Sequence, residues 1–108
     1  MPIDQIEKDK IISIKHPEIQ AAVAKIVKGL PGDLIFIDKE HVYINESDLG
    51  CIKLVSDSGR CYSPIAEGCI PENSFFVSTP HFNSFDSRYA EFGLIKGEWI
   101  QGELCPIY

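Results

Sequence analysis

Residues 21–33, AAVAKIVKGLPGD, set a lysine between Ala24 and Ile26 and then end in a proline-glycine turn. Two periods compete here. Ile19, Val23, Ile26 and Leu30 fit helical spacing, which would put Lys25 on the solvated face of a helix. Val23, Lys25 and Val27 share one side of a strand, which would set the amine beside two valines. The β-branched residues cluster towards the later end, as strands favour. The expectation is a short helical turn over residues 17–21 and a strand over about 22–28, with the two periods close to balanced on periodicity alone.

Outside this stretch the pattern is alternation. Residues 10–15, KIISIK, read as a strand stopped at His16-Pro17, because the residue before proline is pushed out of the helical region. Residues 32–45, GDLIFIDKEHVYIN, read as a hairpin with strands at 34–37 and 41–44 and a turn at 38–40. Residues 51–62, CIKLVSDSGRCY, take the same form with the turn at 56–59. SFFVS at 74–78 is a further strand, and 99–106 a last one. The fold class expected is mainly β: a compact antiparallel domain with one or two short helices.

At 108 residues the length fits one domain, and a hydrophobic fraction of 44% marks a globular chain. No apolar run approaches the ~20 residues of a membrane-spanning helix, so the chain reads as a soluble fragment. Sixteen acids against ten bases leave a net charge of -6 with scattered lysines, which disfavours nucleic acid as a partner. The N-terminus, MPIDQIEKDK, has no apolar segment and is not a secretory signal. His16, His41 and His81 are widely spread, and Cys51, Cys61, Cys69 and Cys105 form no C-x-x-C pair. Neither a metal nor another cofactor is expected. Four cysteines fit one or two disulfides in an oxidising compartment, and equally buried free thiols.

Two segments point further. KIVKGLPGD at 25–33, followed by VYIN at 42–45, and NSFDSRY at 83–89, following IPENSFFVS at 70–78, resemble the conserved boxes of type I signal peptidases. The second is most similar to the conjugative-transfer (TraF-type) branch, and the resemblance spans about residue 9 to the C-terminus. It resolves the helix-or-strand question in favour of the strand. It implies the compact β domain of Ser-Lys peptidases, an architecture shared with self-cleaving repressors, and a chain that ends before the nucleophile at its N-terminal side.

By this resemblance Lys25 stands at the place of the general base, and Ser84 at that of the hydroxyl that orients its amine. An ammonium cannot accept a proton, so a lysine base must be kept neutral, and burial among apolar atoms lowers its pKa by up to ~3–5 units. Lys28, three residues on, is expected to point away and stay charged. Gly29, Pro31, Gly32 and Asp33 form the turn after the base, and Asp86 and Arg88 are read as a structural ion pair steadying the second box. Thr79 stands where many relatives carry an acid and Ile26 where they carry an arginine, which looks like the loss of one ion pair. After Tyr89, AEFG replaces a tryptophan-glycine.

The family's nucleophile lies in a Ser-x-Pro upstream of a strand that KDKIISIKHP itself resembles. Ser13 is the sole serine before Lys25, and it sits inside that strand as an ordinary strand residue. The resemblance therefore implies that the nucleophile and an inner-membrane anchor lie outside this chain, and that the chain alone is inactive. The implied whole is an inner-membrane protein with its catalytic domain facing the periplasm. It would cleave secreted or pilin precursors bound as an extended strand, with hydrolysis and cyclisation of the product both open. Candidate edges for that strand are the one before Lys25 and the one near 75–77. By family comparison Cys69 and Cys105 take core positions, which favours a Cys51–Cys61 bridge. The alternative is a disulfide-stapled β module that binds a periplasmic or secreted partner without catalysis.

Overall fold

The computed structural model describes residues 6–17, 19, 21–52, 55, 59, 61–79 and 85–104. Nine strands run through them in two antiparallel sheets. The first sheet takes β1 (Ile11–Ile14), β2 (Val23–Gly29), β7 (Ser74–Ser78), β8 (Ile95–Lys96) and β9 (Ile100–Leu104) in the order β8-β7-β2-β1-β9. The second takes β3 (Leu34–Asp38), β4 (His41–Ile44), β5 (Ser47–Cys51) and β6 (Gly68–Cys69) in the order β5-β4-β3-β6. The protein is mainly β, as its alternation implies.

Burial follows the period of two. Ile12 and Ile14 of β1 are buried while Ile11 and Ser13 are only half-buried, so one face of the strand meets the core. β7 is different, for all five of its residues are buried. Phe75 and Val77 join a cluster with Ile12, Ile14, Val27, Ile95 and Ile100, whereas Phe76 joins a second with Ile35, Val42, Ile44, Ile52, Ile65, Ile70 and Tyr89. β7 is thus a wall shared by two cores, which explains its unbroken apolar run. Each buried Ile, Val or Phe contributes about 1.5–3 kcal/mol, against about 0–1 kcal/mol for an exposed ion pair. The two clusters, not surface pairs such as Lys10–Glu103, hold the fold.

The β3–β4 hairpin closes through Lys39 and Glu40, both left-handed at φ 50° and 66°. A two-residue turn of this kind matches the twist of the flanking strands and prevails even without its usual Asn-Gly. Several elements depart from the sequence reading. β5 begins at Ser47, where SDLGC shows no alternation, and pairs with β4 through a turn at Asn45 and Glu46. Of the hairpin expected over 51–62, Val55 and Cys61 form an antiparallel bridge, and residues 53, 54, 56–58 and 60 lie outside the described residues. β6 and β8, two residues each, are too short to show a period. Trp99 belongs to a 3-10 turn, Gly97–Trp99, and the last strand starts one residue later. Where a helical turn is expected over 17–21, the Ile19 amide donates to the His16 carbonyl at 3.1 Å, and residues 18 and 20 lie outside the described residues.

The expected Cys51–Cys61 bridge is absent, and Cys51, Cys61 and Cys69 are free thiols. The register explains why: Cys61 lies across from Val55 while Cys51 pairs with His41 in the other direction. Cys105 lies outside the described residues.

Candidate active site

The turn after β2 is built from its sequence. Pro31 and Gly32 occupy the centre of a turn whose Asp33 amide donates to the Leu30 carbonyl at 3.0 Å. Gly32 has φ +91°, which a side chain would strain, so proline followed by glycine suits this turn. Asp33 Oδ2 accepts the Leu30 amide at 2.9 Å and meets Lys8 Nζ at 3.0 Å, while Oδ1 accepts from Asn45 Nδ2 at 3.3 Å. Partial burial pushes the Asp33 carboxyl up, but the Leu30 amide, Lys8 and Asn45 together hold it below its ordinary value. The turn is stitched to the second sheet by Gly32 N–H to Ile70 O and Ile70 N–H to Asp33 O, both 2.8 Å. Gly29 is required by packing: a Cβ there would sit 2.6 Å from Ile70 Cδ1 and 2.9 Å from Phe76 Cβ. Five residues of extended chain put the start of this turn roughly 16 Å from Lys25. Its role is to fix the end of β2.

Lys25 lies on β2 directly across from Ile12 of β1, so it shares the face of Ile12 and Val27, both fully buried. Its amine sits 5.8 Å from the centre of the Phe92 ring. Burial lowers the Lys25 pKa from its ordinary 10.5, with the Asp86 carboxylate opposing the shift and the Arg88 guanidinium adding to it. Lys28 differs, for its Nζ donates to Asp9 Oδ1 at 2.7 Å.

The segment bearing Asp86 and Arg88 docks on β7. The Val77 amide donates to Ser87 Oγ, and the Ser87 amide donates to the Val77 carbonyl, each at 3.0 Å. Arg88 Nε donates to Asp86 Oδ1 at 2.9 Å, and the Arg88 amide to the same oxygen at 3.0 Å. Arg88 Nη1 reaches the Cys51 carbonyl at 2.7 Å, tying this segment to the end of β5. Both side chains are essentially inaccessible, at 0% and 1%. Lys25 therefore faces a fixed pair of opposite charges. Ser84 lies outside the described residues.

Ser13 faces away from this site. It pairs with Ala24, on the opposite side of the sheet from Lys25, and its hydroxyl donates to Gln101 Oε1 at 3.1 Å. The strand edges expected to take a substrate are also occupied. β1 lies between β2 and β9. β7 lies between β2 and β8, with Ser87 bonded beyond β8 at Val77.

Sequence reasoning passed over Phe92, which lies beside the amine, and His16, which packs on Phe92. Phe92 lies in the AEFG stretch, and His16 enters that reasoning as the end of a strand and as one of three widely spread histidines. His16 is 6% exposed, and its Nε2 donates to the Phe92 carbonyl at 2.9 Å. A buried histidine beside a proline carries no motif that announces such a contact. Among the described residues no cluster of three or more His, Cys, Asp or Glu could hold a metal ion.

A half-buried lysine on a β-strand is thus faced by a docked Asp-x-Arg segment in a domain of two antiparallel sheets. Residues 2–108 match the family model described as Signal peptidase, peptidase S26, and the chain belongs to that family. Among proteins similar to it is the Conjugal transfer protein TraF of Agrobacterium fabrum, 28% identical over 89 residues, 82% of this chain and 49% of that protein. The chain thus spans about half the length of this curated relative. A crystal structure of a signal peptidase I from Enterococcus faecalis matches with a TM-score of 0.63 at 27% identity, covering 94% of this chain and 97% of that one.

Proposed function

We propose that these residues form the periplasm-facing catalytic domain of a membrane-anchored signal peptidase, with Lys25 as general base. The observation that carries this reading is the Lys25 amine, placed on a buried face where desolvation favours its neutral form. A neutral amine takes the proton from a serine hydroxyl. The serine oxygen then attacks the scissile carbonyl, and the departing amine recovers that proton from Lys25 as the peptide bond breaks. Water, deprotonated by the same lysine, resolves the ester; an amine of the substrate in its place would give a cyclic product. Ser84 is assigned the orientation of the Lys25 amine.

Ser13 faces away from Lys25, and the curated relative is about twice as long. The nucleophilic serine and the membrane anchor are therefore assigned to sequence upstream of Met1, and the 108 residues alone are proposed to be inactive. Among the described residues no helix is long and apolar enough to cross a membrane. The name of the relative suggests a conjugative pilin precursor as substrate, held as an extended strand. With β1 and β7 both flanked, that strand would need an edge supplied with the serine segment. The rival reading, a disulfide-stapled binding module, is weakened by the free thiols of Cys51, Cys61 and Cys69.

The test is to read the codons preceding Met1 and express the 108 residues joined to what they encode. An apolar stretch followed by Ser-x-Pro is expected. Precursor processing should vanish in Lys25→Ala and persist in Lys28→Ala; equal loss or equal retention removes Lys25 from the chemistry.

A further inference from the structure

The floor beneath the Lys25 amine is a residue outside both sequence boxes. Phe92 is 3% exposed, and its ring centre lies 5.8 Å from Lys25 Nζ. Its backbone is held at both ends, the amide donating to the Tyr89 carbonyl at 3.2 Å and the carbonyl accepting from His16 Nε2 at 2.9 Å. A carbonyl oxygen can only accept, so Nε2 carries a hydrogen whatever the state of Nδ1. The His16 ring also packs 4.8 Å from the Phe92 ring and 5.1 Å from Trp99, measured between centres. The Trp99 carbonyl in turn accepts the Lys15 amide at 2.8 Å. The end of β1 is thereby locked to a segment 76 residues away, with Phe92 as the joint.

We infer that Phe92 is a positioning residue that covers one side of the Lys25 amine, and that His16 holds this ring in place through the Phe92 carbonyl. The catalytic consequence rests on the peptidase reading above; the physical claim does not. An aromatic face attracts an ammonium, yet the same ring excludes water from it, and burial is the leading influence on Lys25. The charges that act on the amine from the segment docked on β7, Asp86 and Arg88, oppose one another. Among the described residues His16 also packs on the ring. Within this inference the Phe92 ring keeps water from the amine on one side, while the lysine stem lies on the core face of Ile12 and Val27.

The test is to titrate the Lys25 amine by NMR of the 108-residue chain carrying nitrogen-labelled lysine, with unfolding measured in parallel. Phe92→Ala should raise its pKa by about one unit, a roughly tenfold smaller neutral fraction at a given pH. His16→Leu, which removes the donor, should raise it in the same direction. His16→Gln, which keeps an N–H donor, and Phe92→Leu, which keeps apolar cover, should stay near the parent. If Phe92→Ala fails to fold, the comparison of His16→Leu with His16→Gln decides. An amine that titrates identically in folded Phe92→Ala or in both His16 variants overturns the inference. In the protein joined to its upstream segment, the acid limb of kcat/KM should follow the amine. An amine that moves while processing keeps its pH profile upholds the positioning and refutes Lys25 as the base.

Discussion

Lys25 stands directly across the β1–β2 ladder from Ile12, a residue with no exposed surface. The two side chains share one face of the sheet, so the lysine stem runs over core before its amine reaches the Phe92 ring. A strand with the opposite register would have turned the same lysine to water.

Holding that charge beside the core has a stability signature. The folded-state pKa of Lys25 lies below the unfolded value of 10.5. Below the folded pKa both states are charged, and the full penalty of burying the ammonium applies. Between the two values the folded amine is neutral, so the penalty fades as pH rises and is gone above the unfolded pKa. Lys25→Met should therefore be more stable than the parent at pH ~7, with the difference shrinking towards alkaline pH. Urea unfolding across that range measures it; a gap that widens with pH contradicts the burial assigned to the amine.

The buried Asp86–Arg88 pair makes a different prediction. Arg88→Met leaves the Asp86 carboxylate without its guanidinium, and breaking such a pair costs about 3–5 kcal/mol. Replacing both, Asp86→Leu with Arg88→Met, should recover part of that loss, because no uncompensated charge remains. Denaturant midpoints of the single and double variants test this. A single variant as stable as the parent would mean that the pair does not hold the segment on β7.

Gly29→Ala should destabilise by about 1–3 kcal/mol, the usual cost of forcing extra volume into a packed site. The added Cβ would meet Ile70 Cδ1, which can turn aside, and Phe76 Cβ, which cannot move without its strand. Thermal unfolding reads the loss.

Asp33→Asn tests the turn by acid titration. The folded carboxyl is depressed below 3.8, so its contribution is present above the unfolded pKa and is lost as pH falls through the folded one. The parent should exceed the variant in stability at neutral pH, and the two should converge as the solution is taken below pH ~3.8. Parallel acid unfolding curves with a constant offset would assign the difference to something other than charge.

Local chemistry made much of this protein readable. Alternation over 11–14, 34–37 and 41–44 marks strands because one face must be dry, and LPGD marks a turn because proline and glycine fit its dihedral angles. Lys25 was singled out by its apolar neighbours and by the box around it, which identify a residue type and a spacing. β5, β6 and β8 stayed hidden, since SDLGC is polar and two residues cannot show a period. Strand order was equally beyond reach: nothing near residues 11–14 or 74–78 says that β9 and β8 will cover their outer edges. The setting of the Lys25 amine was decided later still, by Phe92, Asp86 and Arg88 and, through Phe92, by His16. Those groups lie far from Lys25 or outside its pattern, and only chain packing brings them to it. Periodicity records which way a side chain points; the water, charge and rings it then meets belong to other strands, and so to the tertiary structure.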